Sequence, residues 1–169
     1  PNDGAMLFLS DRENILIDWM EYDPSMHNND YYADGGWALE RIDPDRQCMA
    51  RDNWATSKSR MGVSPGQENS VKRNNPDRLP PSLANLFLPD SSTLVIEFSE
   101  VMDPGSLIEP RNYLVNKGLE YPEYIECLAP ANRTAILHFD QAFDPGKQYQ
   151  LEISENLVDC AGLSLSSGW

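Results

Sequence analysis

Strict alternation of apolar and polar side chains runs through the second half of the chain. In "STLVIEFS", Leu94, Ile96 and Phe98 point one way, and Thr93, Val95, Glu97 and Ser99 the other. "QYQLEIS" sets Tyr149, Leu151 and Ile153 against Gln148, Gln150 and Glu152, and "TAILHFD" sets Ala135, Leu137 and Phe139 against Ile136, His138 and Asp140. A period of two with one polar face predicts antiparallel strands half-buried on a core. Shorter strands are expected at 85–88, 112–115, 121–128 and 163–165. About seven short strands with turn signals between them predict an immunoglobulin-type β-sandwich.

One turn phrase occurs twice, "FSEVMDPGS" at 98–106 and "FDQAFDPGK" at 139–147. Proline presets φ at the first central position of a tight turn, and glycine tolerates a positive φ at the second. The apolar residue before each Asp, Met102 or Phe143, is placed to plug an end of the core as the chain crosses between sheets.

The first half is also β in character. "AMLFLSD" and "NILIDWMEYD" predict a hairpin around 11–14, the second strand burying Ile15, Ile17 and Trp19. A polar loop comes next, then a strand in "WALERID". Residues 48–71 read as irregular, with Trp54 an anchor and "SPGQENS" a closing turn. The run "KRNNPDRLPPS" is dense in Pro, Asn and charge, and marks a boundary. The expected organisation is a β domain at 1–72, a linker at 73–82 and a β-sandwich at 83–169. Helix signals are nearly absent; "PGSLIEPRNY" allows one short turn.

Charge narrows the partners. The formal net charge is −14, with −5 in residues 1–78 and −9 in 79–169. Such a surface repels phosphate backbones, so nucleic acid is not an expected partner. No run of about 18 apolar residues offers a membrane-spanning helix. The opening "PNDGAMLFLS" lacks an initiator Met and turns apolar at once, which reads as a piece of a longer protein. Cys48, Cys127 and Cys160 show no metal-binding spacing.

Two segments resemble known families. "ADGGWALERIDP" at 33–44, then Cys48, "NWATS" at 53–57 and "GVSPGQENSV" at 62–71, resembles the C-terminal half of bacterial lamin-tail domains. "LVIEFSEVMDPGSL", "NYLV", "YQLEI" and "LVDCAGLSL" resemble a bacterial Ig-like domain of the surface-layer and adhesin type. The resemblance implies an all-β chain of two Ig-like sandwich units, the first incomplete because its opening strands are missing. Exposed sheet edges in that first unit would be covered by other domains of the parent protein or by another chain, making oligomers through it an expectation. The Ig-like segment departs from its family after Gly162, where Leu replaces the usual Asn.

Catalytic patterns are not expected. His27 falls in an Asn-rich loop and His138 on the outer face of a strand, neither beside a nucleophile motif. The pairs Glu123/Glu126 and Glu97/Glu100 read as solvated strand faces. The site-like stretch is "DPSMHNNDYYADGGW" at 23–37. There Asp23, Asp30 and Asp34, with Asn28 and Asn29, offer hard oxygen atoms suited to Ca²⁺. Tyr31 and Tyr32 offer faces for a sugar or peptide, while Trp37 reads as a packing residue. No cofactor is expected. The leading functional expectation is a non-catalytic structural, adhesion or positioning module of a secreted or cell-surface bacterial protein. The alternative is an accessory domain that binds glycan or calcium for an attached hydrolase. Strand placement leaves three cysteine states open: a Cys127–Cys160 bridge, a Cys48–Cys160 bridge, or three free thiols.

Overall fold

The computed structural model describes residues 3–46 and 51–166. It is built mostly of strands in several small sheets, with helices no longer than four residues. The chain is therefore all-β. It divides into two compact units, Pro1–Asp77 and Arg78–Trp169.

The first unit opens with a hairpin of β1 (Ala5–Ser10) and β2 (Leu16–Tyr22), pairing Leu7 with Met20, Phe8 with Trp19 and Leu9 with Asp18. Its turn is shaped by Asp11, whose Oδ1 accepts from the backbone N–H groups of Glu13 and Ile15, each at 2.8 Å. Asn14 takes the left-handed conformation that Asn tolerates. The burial expected on β2 does not occur: Ile15 is 59% and Ile17 62% exposed, and Trp19 is only half-buried. Ile15 lies in the turn, and a register shift between Leu9 and Ser10 breaks the alternation beside Ile17. The sheet is also only two strands wide, too little to cover its own faces.

The rest of the unit holds the one-turn helix α1 (Asp30–Ala33) and a second two-stranded sheet, β3 (Leu39–Arg41) with β4 (Trp54–Thr56). A short strand thus interrupts the segment expected to be irregular. Met26, Ile42 and Val71 are its buried apolar side chains among the described residues. Polar groups carry much of the remaining order. Asn53, buried, donates to the carbonyl of Asp43 at 2.9 Å and accepts from its N–H at 3.0 Å. The buried Arg46 guanidinium pairs with Asp52 at 2.9 Å and with Asp77.

In the second unit, β5 (Leu83–Phe87), β6 (Thr93–Phe98), β8 (Tyr124–Cys127) and β9 (Thr134–His138) make an antiparallel sheet ordered β5-β6-β9-β8. A second sheet pairs β7 (Tyr113–Val115) with β10 (Leu151–Ile153). Leu94, Ile96 and Phe98 of β6, Ala135 and Leu137 of β9, and Tyr113 and Val115 of β7 share one core, with Leu151 and Ile153 packed against it. The alternation in the sequence therefore marks the core face correctly. Thr93 and Val95 are buried too, because β6 is flanked on both sides by strands. Residues 163–165 form no strand; Ser164 makes only an isolated bridge to Val158.

Met102 is fully buried in this core and Phe143 packs at its margin, stacking edge-on between Phe139 and Tyr149. The turn phrase at the two crossings resolves differently at each copy. Asp103 caps a helical turn, α2 (Pro104–Leu107), through Ser106 N–H at 2.7 Å. Asp144 closes a tight turn, accepting from Gly146 N–H at 2.9 Å. Neither Gly105 nor Gly146 adopts a positive φ, contrary to the sequence reading. Each glycine instead makes room: a Cβ there would lie 3.3 Å from the carboxylate of Asp103 or Asp144.

Candidate functional site

The loop at 23–37 is more ordered than its polarity suggests, because its acids and amides cap short helical turns. Asp23 accepts from Ser25 N–H at 2.8 Å at the start of the turn Pro24–Met26, and its Oδ1 lies 3.4 Å from Arg51. These contacts hold its carboxyl below the usual carboxylate range, the Ser25 hydrogen bonds contributing most. Asn29 accepts from Tyr31 N–H at 2.9 Å and so caps α1, leaving Asp30 in the first helical turn, where the helix dipole favours an acid. Asp34 ends the helix. Asp23, Asp30 and Asp34 do not bring three oxygens within 4.8 Å of one another.

The aromatics of the same loop do come together. Tyr31, 71% exposed, meets Tyr32 edge-on at 5.6 Å, and Tyr32 meets Trp37 at 4.7 Å. Trp37 is half-buried and precedes β3. Beneath this row the backbones of two loops touch: Ala38 N–H donates to the carbonyl of Gly62 at 2.9 Å. A Cβ at Gly62 would fall 2.3 Å from the carbonyl oxygen of Gly36. Only glycine fits there, and its φ of +75° favours glycine as well.

The β1–β2 hairpin forms a second candidate surface. Met6, Leu7, Phe8, Leu9, Leu16 and Ile17 are all exposed. Leu7, Phe8, Leu9, Trp19, Met20 and Trp54 line a shallow groove of about 200 Å³. Arg41 lies over Trp54, 5.0 Å from the ring centre, and pairs with Asp18 at 2.7 Å. The sequence reading missed this surface because it assigned Ile17 and Trp19 of the same hairpin to a core.

The histidines are held by packing. His27 is buried rather than looped out; its Nδ1 lies 3.0 Å from Thr56 Oγ1, and burial pushes its pKa down. His138 stacks on Tyr124 at 4.3 Å, with Nε2 3.9 Å from Glu126. A buried acid also escaped the sequence reading. Glu40 accepts from Ser64 Oγ at 2.6 Å, and from Ser70 N–H and Oγ at 2.7 Å each. Burial would raise its pKa, but these serine donors outweigh burial and hold it below the ordinary value. The spacing "SPGQENS" after β4 is the signal that could have found the cage.

Cys160 is disulfide-bonded and Cys127 is free, which overturns both the Cys127–Cys160 bridge and the state of three free thiols. Cys127 ends β8 with its side chain packed against the core. Cys48 lies outside the described residues.

Two sheets closing on a single apolar core, with a fully buried Tyr and crossings plugged by Met102 and Phe143, define an immunoglobulin-like β-sandwich. The chain belongs to the bacterial Ig-like domain family, whose model matches residues 78–169. Comparison with curated proteins finds no match. Among solved structures, the chain is similar to "Crystal structure of the S-layer protein rSbsC(31-844)", at 26% identity over 53% of this chain with a TM-score of 0.46. It is also similar to the N-terminal part of the bacterial S-layer protein SbsC, with the same identity, coverage of this chain and TM-score. It spans 13% and 22% of those two chains.

Proposed function

We propose that the chain is a non-catalytic structural module that spaces or positions other parts of a secreted or cell-surface bacterial protein. Membership of residues 78–169 in the bacterial Ig-like domain family carries this reading. The disulfide at Cys160 supports an extracytoplasmic setting, since such bonds persist in oxidising compartments. On this reading residues 1–72 are a lamin-tail-like partial sandwich, 73–82 a linker and 83–169 the Ig-like domain. The exposed apolar hairpin supports partners that are proteins, either other domains of the parent chain or a further copy. An antibody raised against residues 78–169 should label intact cells of the source bacterium or its culture medium. Signal confined to the cytosolic fraction would overturn the proposal.

The second reading, an accessory domain for an attached hydrolase, is favoured by one observation. Tyr31, 71% exposed, presents an aromatic ring next in sequence to Asp30 and backed edge-on by Tyr32 and Trp37, an arrangement suited to a sugar ring more than to an ion. A glycan array should then show saturable binding that Tyr31→Ala removes; an array without a hit sinks it.

A further inference from the structure

Asp159 is 1% exposed, yet only one of its carboxylate oxygens is paired. Oδ1 accepts from the N–H groups of Ala161 and Leu163, each at 2.8 Å, and so shapes the closing turn of the sandwich. Oδ2 is buried with no hydrogen-bond partner. A buried anionic oxygen without a partner is costly, and a second carboxylate nearby adds repulsion. That second carboxylate is present: one oxygen of Glu100 lies within 4.8 Å of one of Asp159.

The surroundings do not let the two acids drift apart. Met102, fully buried, makes an antiparallel bridge with Asp159. Asp103 N–H donates to the carbonyl of Val158 at 3.0 Å, and Cys160 N–H to that of Val101 at 3.2 Å. Ser106 Oγ reaches the Val158 carbonyl at 3.2 Å. Segment 100–103 and the turn at 158–160 are thus one cross-linked platform carrying both carboxylates.

We propose that this platform is a divalent-cation site, with Glu100 and the free oxygen of Asp159 as its acidic ligands and Ca²⁺ as its ion. Calcium–oxygen distances of about 2.4 Å put ligands on opposite sides of the ion about 4.8 Å apart, the upper limit of the spacing found here. Calcium tolerates irregular sites completed by carbonyls and water, whereas Mg²⁺ demands near-octahedral geometry. This inference goes beyond the structural role proposed above and does not depend on the loop at 23–37.

Calorimetry on the EDTA-stripped 169-residue chain tests it. Titration with CaCl2 should show one saturable site with a Kd on the order of 10⁻⁴–10⁻³ M, as in extracellular modules. CaCl2 should also raise Tm where NaCl of equal ionic strength does not. Asp159→Asn should abolish both effects, because the amide oxygen still accepts the turn hydrogen bonds while the free anionic oxygen is lost. Glu100→Gln, at a partly exposed position, should weaken binding about tenfold or more with the fold intact, and decides the matter if Asp159→Asn does not fold. No heat and no Tm shift at about 10 mM CaCl2 would overturn the proposal, as would binding that survives both substitutions. A Tm that rises on mild acidification in EDTA, without any response to Ca²⁺, would assign a shared proton to the pair instead and equally overturn it.

Discussion

The hydroxyl of Tyr113 donates a 2.9 Å hydrogen bond to the carbonyl of Leu107, and both side chains are completely buried. The bond ties β7 to the helical turn α2 that begins at Asp103. Tyr113→Phe keeps the ring but leaves that carbonyl unpaired, at a cost of about 1–3 kcal/mol in urea unfolding. Burial pushes the phenol well above its ordinary value of 10.0, with Cys127 adding to the effect. The folded state thus holds Tyr113 neutral. Its contribution is fully present below pH 10 and is lost as the pH rises above it. Alkaline destabilisation should be smaller in Tyr113→Phe than in the parent.

Glu40 should be as sensitive to its charge as to its size. Its cage donates to both carboxylate oxygens through two serine hydroxyls and the Ser70 N–H, so Glu40→Gln puts an amide N–H₂ where a hydroxyl must turn round to accept it or a backbone N–H faces it. A loss of about 1–3 kcal/mol is expected in the first unit, read by hydrogen exchange at β3 and β4. Because the folded pKa is held below 4.5, the contribution is present above that value and is lost as the pH falls below it. An unchanged acid limb in Glu40→Gln would sink the assignment.

Association should be governed by the hairpin. Phe8 is 56% exposed within a patch shared with Leu7, Leu9 and Ile17, and both strands of its sheet have only one neighbour. Light scattering should show concentration-dependent self-association of the chain that strengthens as salt screens its net charge of −14. Phe8→Asp should reduce it without lowering Tm, since the side chain contributes little to a core. Equal association in both proteins would place the contact elsewhere.

Alkylation of the denatured, unreduced protein should label Cys127 and leave Cys160 unlabelled until reductant is added. Label on Cys160 before reduction would contradict the disulfide and, with it, one support for an extracytoplasmic setting.

The sandwich was legible because Leu94, Ile96, Phe98, Ala135 and Leu137 alternate with residues that stay out of its core, and because Met102 sits where a crossing must be sealed. The hairpin was legible as an element and misleading as a core: Ile15 and Ile17 have the right period, but periodicity cannot reveal that no second layer is present. The turn phrases show a related limit. Pro and Gly announce a reversal, yet the residues after them decide whether the Asp carboxylate caps a helix, as Asp103 does, or a tight turn, as Asp144 does. Within the loop at 23–37 the aromatic row arises from proximity in sequence. The orphaned oxygen of Asp159 does not, because it is created by neighbours more than fifty positions away.

The backbone contact between Gly36 and Gly62 sets terms for anyone wishing to reuse this scaffold. Loop 23–37 carries its own caps and an exposed aromatic edge, so it invites randomisation as a recognition surface. Varying Tyr31, Asp30 or Asp34 leaves the support intact. A side chain at position 62 would instead collide with main chain, which has no rotamer in which to retreat. A library built on this module should therefore diversify the rim and hold that pair of glycines constant. Otherwise most of its members would be lost to misfolding before selection for binding began.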